Sequence, residues 1–139
     1  MGKTVLSLFL VLSFSARAHE GHDYGSGSVP LQKGGVMRSL ETVHLELVYK
    51  DKSIWIYPFE VKSDPKNPGK LKPAEPGKFP VSATVELPKA KPQLVELKPA
   101  GDHWIASLDP KGAHRFTVIL KITQGGHDDQ VKWTVEPKK

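Results

Sequence analysis

The side chains best suited to chemistry in this chain are histidines set beside carboxylates. They are His19, Glu20, His22 and Asp23 near the start, Asp102 and His103 in the middle, and His127, Asp128 and Asp129 towards the end. Imidazole nitrogens with carboxylate oxygens make sites for Cu(II) or Zn(II). The first cluster follows Ala16-Arg17-Ala18, which has the small-residue spacing of a signal cleavage site. A cut after Ala18 would leave His19 as the first residue, offering its α-amine together with its imidazole. That amine has a reference pKa of roughly 8, so losing its proton to a metal costs little. His22 and Asp23 could add a further nitrogen and oxygen. The order of affinities favours Cu(II) over Zn(II) at such a site.

The first eighteen residues read as a secretory signal peptide. Lys3 gives a positive start, Val5 to Phe14 is apolar, and Ala16 and Ala18 precede the cut. The apolar run is too short for a bilayer-spanning helix, and no other run approaches the required length, so no membrane span is expected after cleavage. The chain has no cysteine, which excludes disulfides, thiolate metal sites and lipidation at the cut. An exported chain without disulfides points to a bacterial periplasm. Residues 19–139 keep a formal charge of +3, with both signs mixed, so no nucleic-acid footprint is read.

The body of the chain must position the histidines, and its pattern is all-β. Residues 19–35 form a His/Gly/Ser segment, with Tyr24 to Pro30 as a flexible connector. Residues 36–136 form one domain, and a Pro/Lys-rich loop at 63–80 interrupts it. Val43, Leu45, Leu47 and Tyr49 alternate with polar residues and predict a half-buried strand, with His44 and Glu46 on its solvent face. Ile54 to Val61 predicts a second strand, whose Pro58 places its end at a sheet edge or bulge. Trp55, Tyr57 and Phe59 share one side of it and read as packing residues. The loop holds Pro65, Pro68, Pro73, Pro76 and Pro80, a density that excludes regular structure and reads as a solvated crossover. Further strands are expected around Val81–Leu87, Val95–Leu97, Trp104–Leu108, Phe116–Ile122 and Val131–Val135. About seven strands, turns at regular spacing and no helix predict an immunoglobulin-like antiparallel β-sandwich without a disulfide.

Alternating strand directions sort the loops between two ends of such a sandwich. One end would gather the approach to the first strand, the proline-rich loop, Pro99 to Asp102 and Thr123 to Asp129. His103 and His127 would then lie near the place where the His19 tether emerges, while His114 belongs to the other end. A tether of about fifteen residues reaches roughly 20 Å as a random coil, enough to bring His19 or His22 back to that end. The candidate metal ligands are therefore His19, His22, His127, Asp128 and His103. Gly125 and Gly126 let the backbone turn and present the His127 imidazole.

With His19 at a mature terminus, an all-β body, and Gly126-His127 ahead of the last strand Val131 to Val135, the chain resembles the periplasmic copper-carrier β-sandwiches of the CopC type. That resemblance implies Cu(II) held between an N-terminal histidine, matched by His19, and a loop histidine, matched by His127. The family's loop motif is Asp-Gly-His, and its aspartate falls here at Gly125, leaving Asp128 or Asp129 to supply oxygen. A Gly/Ser linker separates His19 from the first strand, and Met37 is the one methionine after the cut, so the family's methionine-rich Cu(I) site has no counterpart. The chain is also similar to small exported sandwich domains that accompany heavy-metal efflux adaptors.

The expected function is that of a non-enzymatic periplasmic protein that binds metal, copper preferred and zinc as alternative. It would buffer the metal or pass it to an efflux adaptor or other envelope protein. The alternative is an immunoglobulin-like interaction module of an envelope complex, docking through the Pro/Lys loop with incidental histidines. An oxidative copper enzyme fits less well, because the small body offers no evident substrate cleft. No nucleophile elbow, HExxH motif or phosphate loop occurs.

Overall fold

Alternation of apolar side chains becomes ten strands in the computed structural model, which describes residues 29–62 and 65–137 and the backbone of His19–Glu20. In chain order these are β1 (His19–Glu20), β2 (Val36–Ser39), β3 (Val43–Lys50), β4 (Ser53–Glu60) and β5 (Val81–Glu86). They continue as β6 (Gln93–Val95), β7 (Lys98–Ala100), β8 (His103–Ser107), β9 (Phe116–Gln124) and β10 (His127–Val135). Six of the seven expected strands lie at their expected places, and the seventh, expected at Val95–Leu97, is β6, displaced to Gln93–Val95. The three additional ones, β1, β2 and β7, are two to four residues long. Elements so short carry little alternation of their own, which is also why the expected position of β6 is two residues too late.

The strands form two sheets, ordered β1-β10-β9-β5-β6 and β2-β3-β4-β8-β7. The seriesβ3-β4-β8-β7 faces β10-β9-β5-β6, which is the immunoglobulin-like arrangement. Every pairing between strands is antiparallel except that of β1 with β10. Leu45, Ile54, Ile56 and Trp104 from one sheet meet Val85, Phe116, Leu120, Ile122 and Trp133 from the other. Burial of these side chains is the main stabilising term, about 1.5–3 kcal/mol for each aliphatic or phenyl group. The Trp133 indole N–H donates to the Val36 carbonyl at 3.0 Å, and Arg38 Nε donates to the Lys132 carbonyl at 3.1 Å. These bonds tie the two sheets together along β2 and β10.

A second, smaller apolar cluster lies on the outside of the β3/β4 sheet, made by Met37, Tyr57, Phe59 and Leu71. It corrects two expectations. His44 and Glu46 do share a face, but that face is covered, and both side chains are buried. The Glu46 carboxylate accepts the backbone N–H groups of Gln32 and Lys33, each at 2.8 Å, and of Gly35 at 2.9 Å. Residues 32–35 are thereby held over the sheet. Gln32 extends the anchor, donating to the Gly69 carbonyl at 3.1 Å and accepting the Leu71 N–H at 3.2 Å.

The second correction concerns the proline-rich loop, which is docked rather than freely solvated. Glu60 N–H donates to the Lys72 carbonyl at 2.8 Å, and Ala74 N–H to the Pro58 carbonyl at 3.0 Å. β8 pairs only with Ser53 to Ile56 of β4, so the far end of β4 has a free edge that this segment covers. Pro58, which lacks an N–H, sits at that free edge. One turn of 3-10 helix, Pro76–Lys78, follows. Among the described residues no helix is long and apolar enough to cross a membrane.

Candidate metal site

The β9–β10 hairpin positions the site. Its two-residue turn is Gly125-Gly126, with φ of 54° and 83°, a conformation that favours glycine. Gln124 and His127 face each other across this turn. Strand parity then places His127 and Asp129 on one face of β10 with Val131 and Trp133, while Asp128 lies on the other. The structure agrees: the Asp128 carboxylate accepts the Thr123 hydroxyl at 2.6 Å on the exposed side.

Asp129 is 8% exposed, a carboxylate withdrawn from water at the rim of the core. Its Oδ2 accepts the Gln124 side-chain amide at 2.9 Å and lies 3.6 Å from His127 Nε2. Gln124 is itself buried, and its Oε1 has no hydrogen-bond partner. The His127 imidazole is largely exposed. A buried carboxylate beside an exposed imidazole, with an unsatisfied amide oxygen next to it, is short of positive charge and of donors.

The backbone of His19 runs beside this group. β1 pairs in parallel with β10, His19 opposite Asp129 and Glu20 opposite Gln130. Neighbouring strands lie about 4.8 Å apart, so this register sets the His19 main chain against the one buried aspartate of the hairpin. His22 lies outside the described residues. The structure does not bring His103 to this place. It stands on the outer face of the other sheet, its Nδ1 donating to Asp102 Oδ1 at 2.8 Å and its ring against Trp55 and Tyr57 at 4.8 and 5.1 Å. The hydrogen bond from His103, helped by the Lys33 ammonium, holds the Asp102 carboxyl below the ordinary carboxylate range.

Among the described residues no group of three or more His, Asp, Glu or Cys side chains is placed to hold a metal. The described part of the candidate site is thus the pair His127 and Asp129, with Gln124 behind it. Sequence reading selected His127 but favoured Asp128 over Asp129. The signal that separates them is parity across a two-residue hairpin: a ligand pair must be spaced i and i+2. Gln124 was not singled out, and its role follows only from its burial beside Asp129. No protein family, no curated protein and no solved structure matches the chain.

Proposed function

We propose that this chain is an exported, non-enzymatic metal-binding protein that holds Cu(II) at the β10 edge and passes it on, with Zn(II) as the weaker cargo. The observation that carries this reading is the register of His19 opposite Asp129, whose buried carboxylate meets only the Gln124 amide and the His127 imidazole among the described residues. With the chain cut after Ala18, His19 would supply an amine and an imidazole nitrogen. His127 would supply a third nitrogen and Asp129 an oxygen. That donor set suits Cu(II) over Zn(II). His22 would serve as an exchange ligand during transfer to an efflux or resistance system in the periplasm.

The anchoring of residues 32–35 by Glu46 supports the same reading. It fixes the chain from Gln32 onward, so eleven residues separate Glu20 from the anchor. A short tether raises the effective concentration of one half-site at the other, to the millimolar range for flexible linkers.

The test is Cu(II) titration of the mature protein beside three variants: His127→Ala, Asp129→Asn, and one extended by an alanine ahead of His19. Each should weaken binding at least tenfold. Unchanged affinity in the extended variant removes the N-terminal chelate and with it the proposed function.

A second reading is an interaction module, supported by the docked loop that holds Lys70, Lys72 and Lys78 exposed on a backbone fixed at Leu71 and Pro76. On that reading an envelope partner is lost when residues 66–78 are replaced, and no histidine variant matters.

A further inference from the structure

At the end of the sandwich opposite the β9–β10 turn, lysine stands where the backbone favours glycine. Among the described residues four other than glycine have positive φ, and all four lie in turns at this end: Asp51 and Lys52 at 52°, Lys89 at 58° and Lys111 at 50°. Gly34 and Gly112 also have positive φ at this end, whereas at the other end every positive-φ position among the described residues is glycine: Gly101, Gly125 and Gly126. The left-handed region is strained for a side chain as long as lysine, and the second position of a two-residue hairpin such as Asp51-Lys52 is ordinarily glycine. Three separate turns accept the same strain and place the same cation.

These turns border two adjoining grooves, of about 920 and 800 Å³, that share Pro110, Gly112 and Glu136. Lys52 lines the first, and Lys89, Lys111, His114 and Arg115 line the second over an apolar floor that includes Leu87. The carboxylates here are Asp51, Asp109 and Glu136. Asp109 already accepts the Lys111 backbone N–H at 2.9 Å, and Glu136 accepts from Arg115 at 3.0 Å. No ion pair engages Lys52, Lys89 or Lys111 among the described residues. Concave ground lined by unpaired cations focuses a positive field, and lysine ammonium groups are compact point charges suited to phosphate oxygens.

We propose that this end of the sandwich binds a multivalent phosphate-bearing anion, with Lys52, Lys89 and Lys111 as its binding residues. The site is separate from the proposed metal site and does not depend on it. Arg115, already neutralised by Glu136, shapes the rim.

The decisive variant is the triple substitution Lys52→Gly, Lys89→Gly, Lys111→Gly. Glycine relieves the strain, so the variant should melt several degrees higher than the parent while losing affinity for pyrophosphate at least tenfold at fixed ionic strength. If the lysines are only turn residues, the melting temperature rises and pyrophosphate affinity is unchanged, which overturns the proposal. Should the variant misfold, amide chemical shifts of the unmodified protein decide. Pyrophosphate should shift the amides of residues 51–53, 89–91 and 111–113; shifts elsewhere, or none together with no binding to phosphatidylglycerol vesicles, overturn the proposal. Two probes distinguish the sources of phosphate. Saturation by pyrophosphate in solution assigns a soluble phosphate compound. Binding confined to phosphatidylglycerol vesicles, with none to phosphatidylcholine, assigns a lipid headgroup. Failure with both probes overturns the inference.

Discussion

Gln124 donates its side-chain amide to Asp129 Oδ2 at 2.9 Å, and both residues are buried at the rim of the core. This bond fixes the carboxylate beside His127 and leaves Gln124 Oε1 without a donor. A supporting group of this kind orients a ligand without touching the metal. Gln124→Ala should therefore lower Cu(II) affinity by about tenfold, the range typical of outer-shell partners. Removing the orphaned oxygen at the same time offsets the lost bond, so thermal stability should change little. Parallel titration and melting curves check both halves. A variant that binds Cu(II) as the parent does would remove Gln124 from the site.

Glu46 is the anchor of the N-terminal segment and should be among the least replaceable polar residues. Its two oxygens accept three backbone N–H groups from Gln32, Lys33 and Gly35. Glu46→Ala would leave these donors unsatisfied under the apolar cluster, at about 1–3 kcal/mol for each one that stays buried. The expected loss is at least about 3 kcal/mol, measurable by urea unfolding. Glu46→Gln should cost less but still destabilise, since its NH₂ group would face a backbone donor. A loss below about 1 kcal/mol for the alanine variant would mean that residues 32–35 simply lift away into water.

Gly35 gives a steric counterpart to that electrostatic anchor. A Cβ placed there would lie within 2.1 Å of the Leu47 carbonyl oxygen and 2.8 Å of a Val48 methyl. Backbone is the obstacle, so rotamer changes cannot relieve the clash. Gly35→Ala should destabilise the fold by about 2–4 kcal/mol. Gly34, with φ of 73° and no atom near its missing Cβ, should be lost at smaller cost, through backbone strain alone. Comparing the two melting temperatures separates close approach from conformation.

The fold was legible because the six strands of five residues or more carry their own alternation and turn signals. Val43 to Tyr49 and Phe116 to Ile122 each announce one buried face. What the sequence hid is the second layer on the β3/β4 sheet. His44 and Glu46 look like solvent-facing residues because they alternate with Val43, Leu45 and Leu47, and alternation does not reveal a segment folded over the polar side. Gln32, which ties residues 29–35 to the loop at Gly69 and Leu71, gives no sequence signal at all. The candidate site was half legible. His127 stands out after two glycines, whereas the preference for Asp129 over Asp128 depends on the length of the turn, and a turn one residue longer would reverse it. His103 does lie at the end of the sandwich that holds the β9–β10 turn, but one end of a sandwich is not one site. Strand parity turns its imidazole onto the outer sheet face, against Trp55 and Tyr57.

His44 gives the fold a defined response to acid. Its Nδ1 lies 2.8 Å from the Ser39 hydroxyl, and burial pushes the imidazole below the ordinary histidine pKa. The folded state therefore favours the neutral ring, while the unfolded chain takes up a proton at a pH near 6.5. The unfolded state binds more protons across the interval between that value and the lower folded-state pKa, so stability falls as pH drops through it. Below the folded-state pKa both states are protonated, and the His44 contribution is lost in full. Unfolding free energies measured by urea between pH 7.5 and 4.5 should decline in the protein, and the decline should be shallower in His44→Gln, which cannot titrate. The glutamine variant should be less stable than its parent at pH 7.5 through imperfect packing, and the gap should narrow or reverse towards pH 4.5. Parallel curves for the two proteins would mean that carboxylates alone set the acid response and that His44 is protonated without cost.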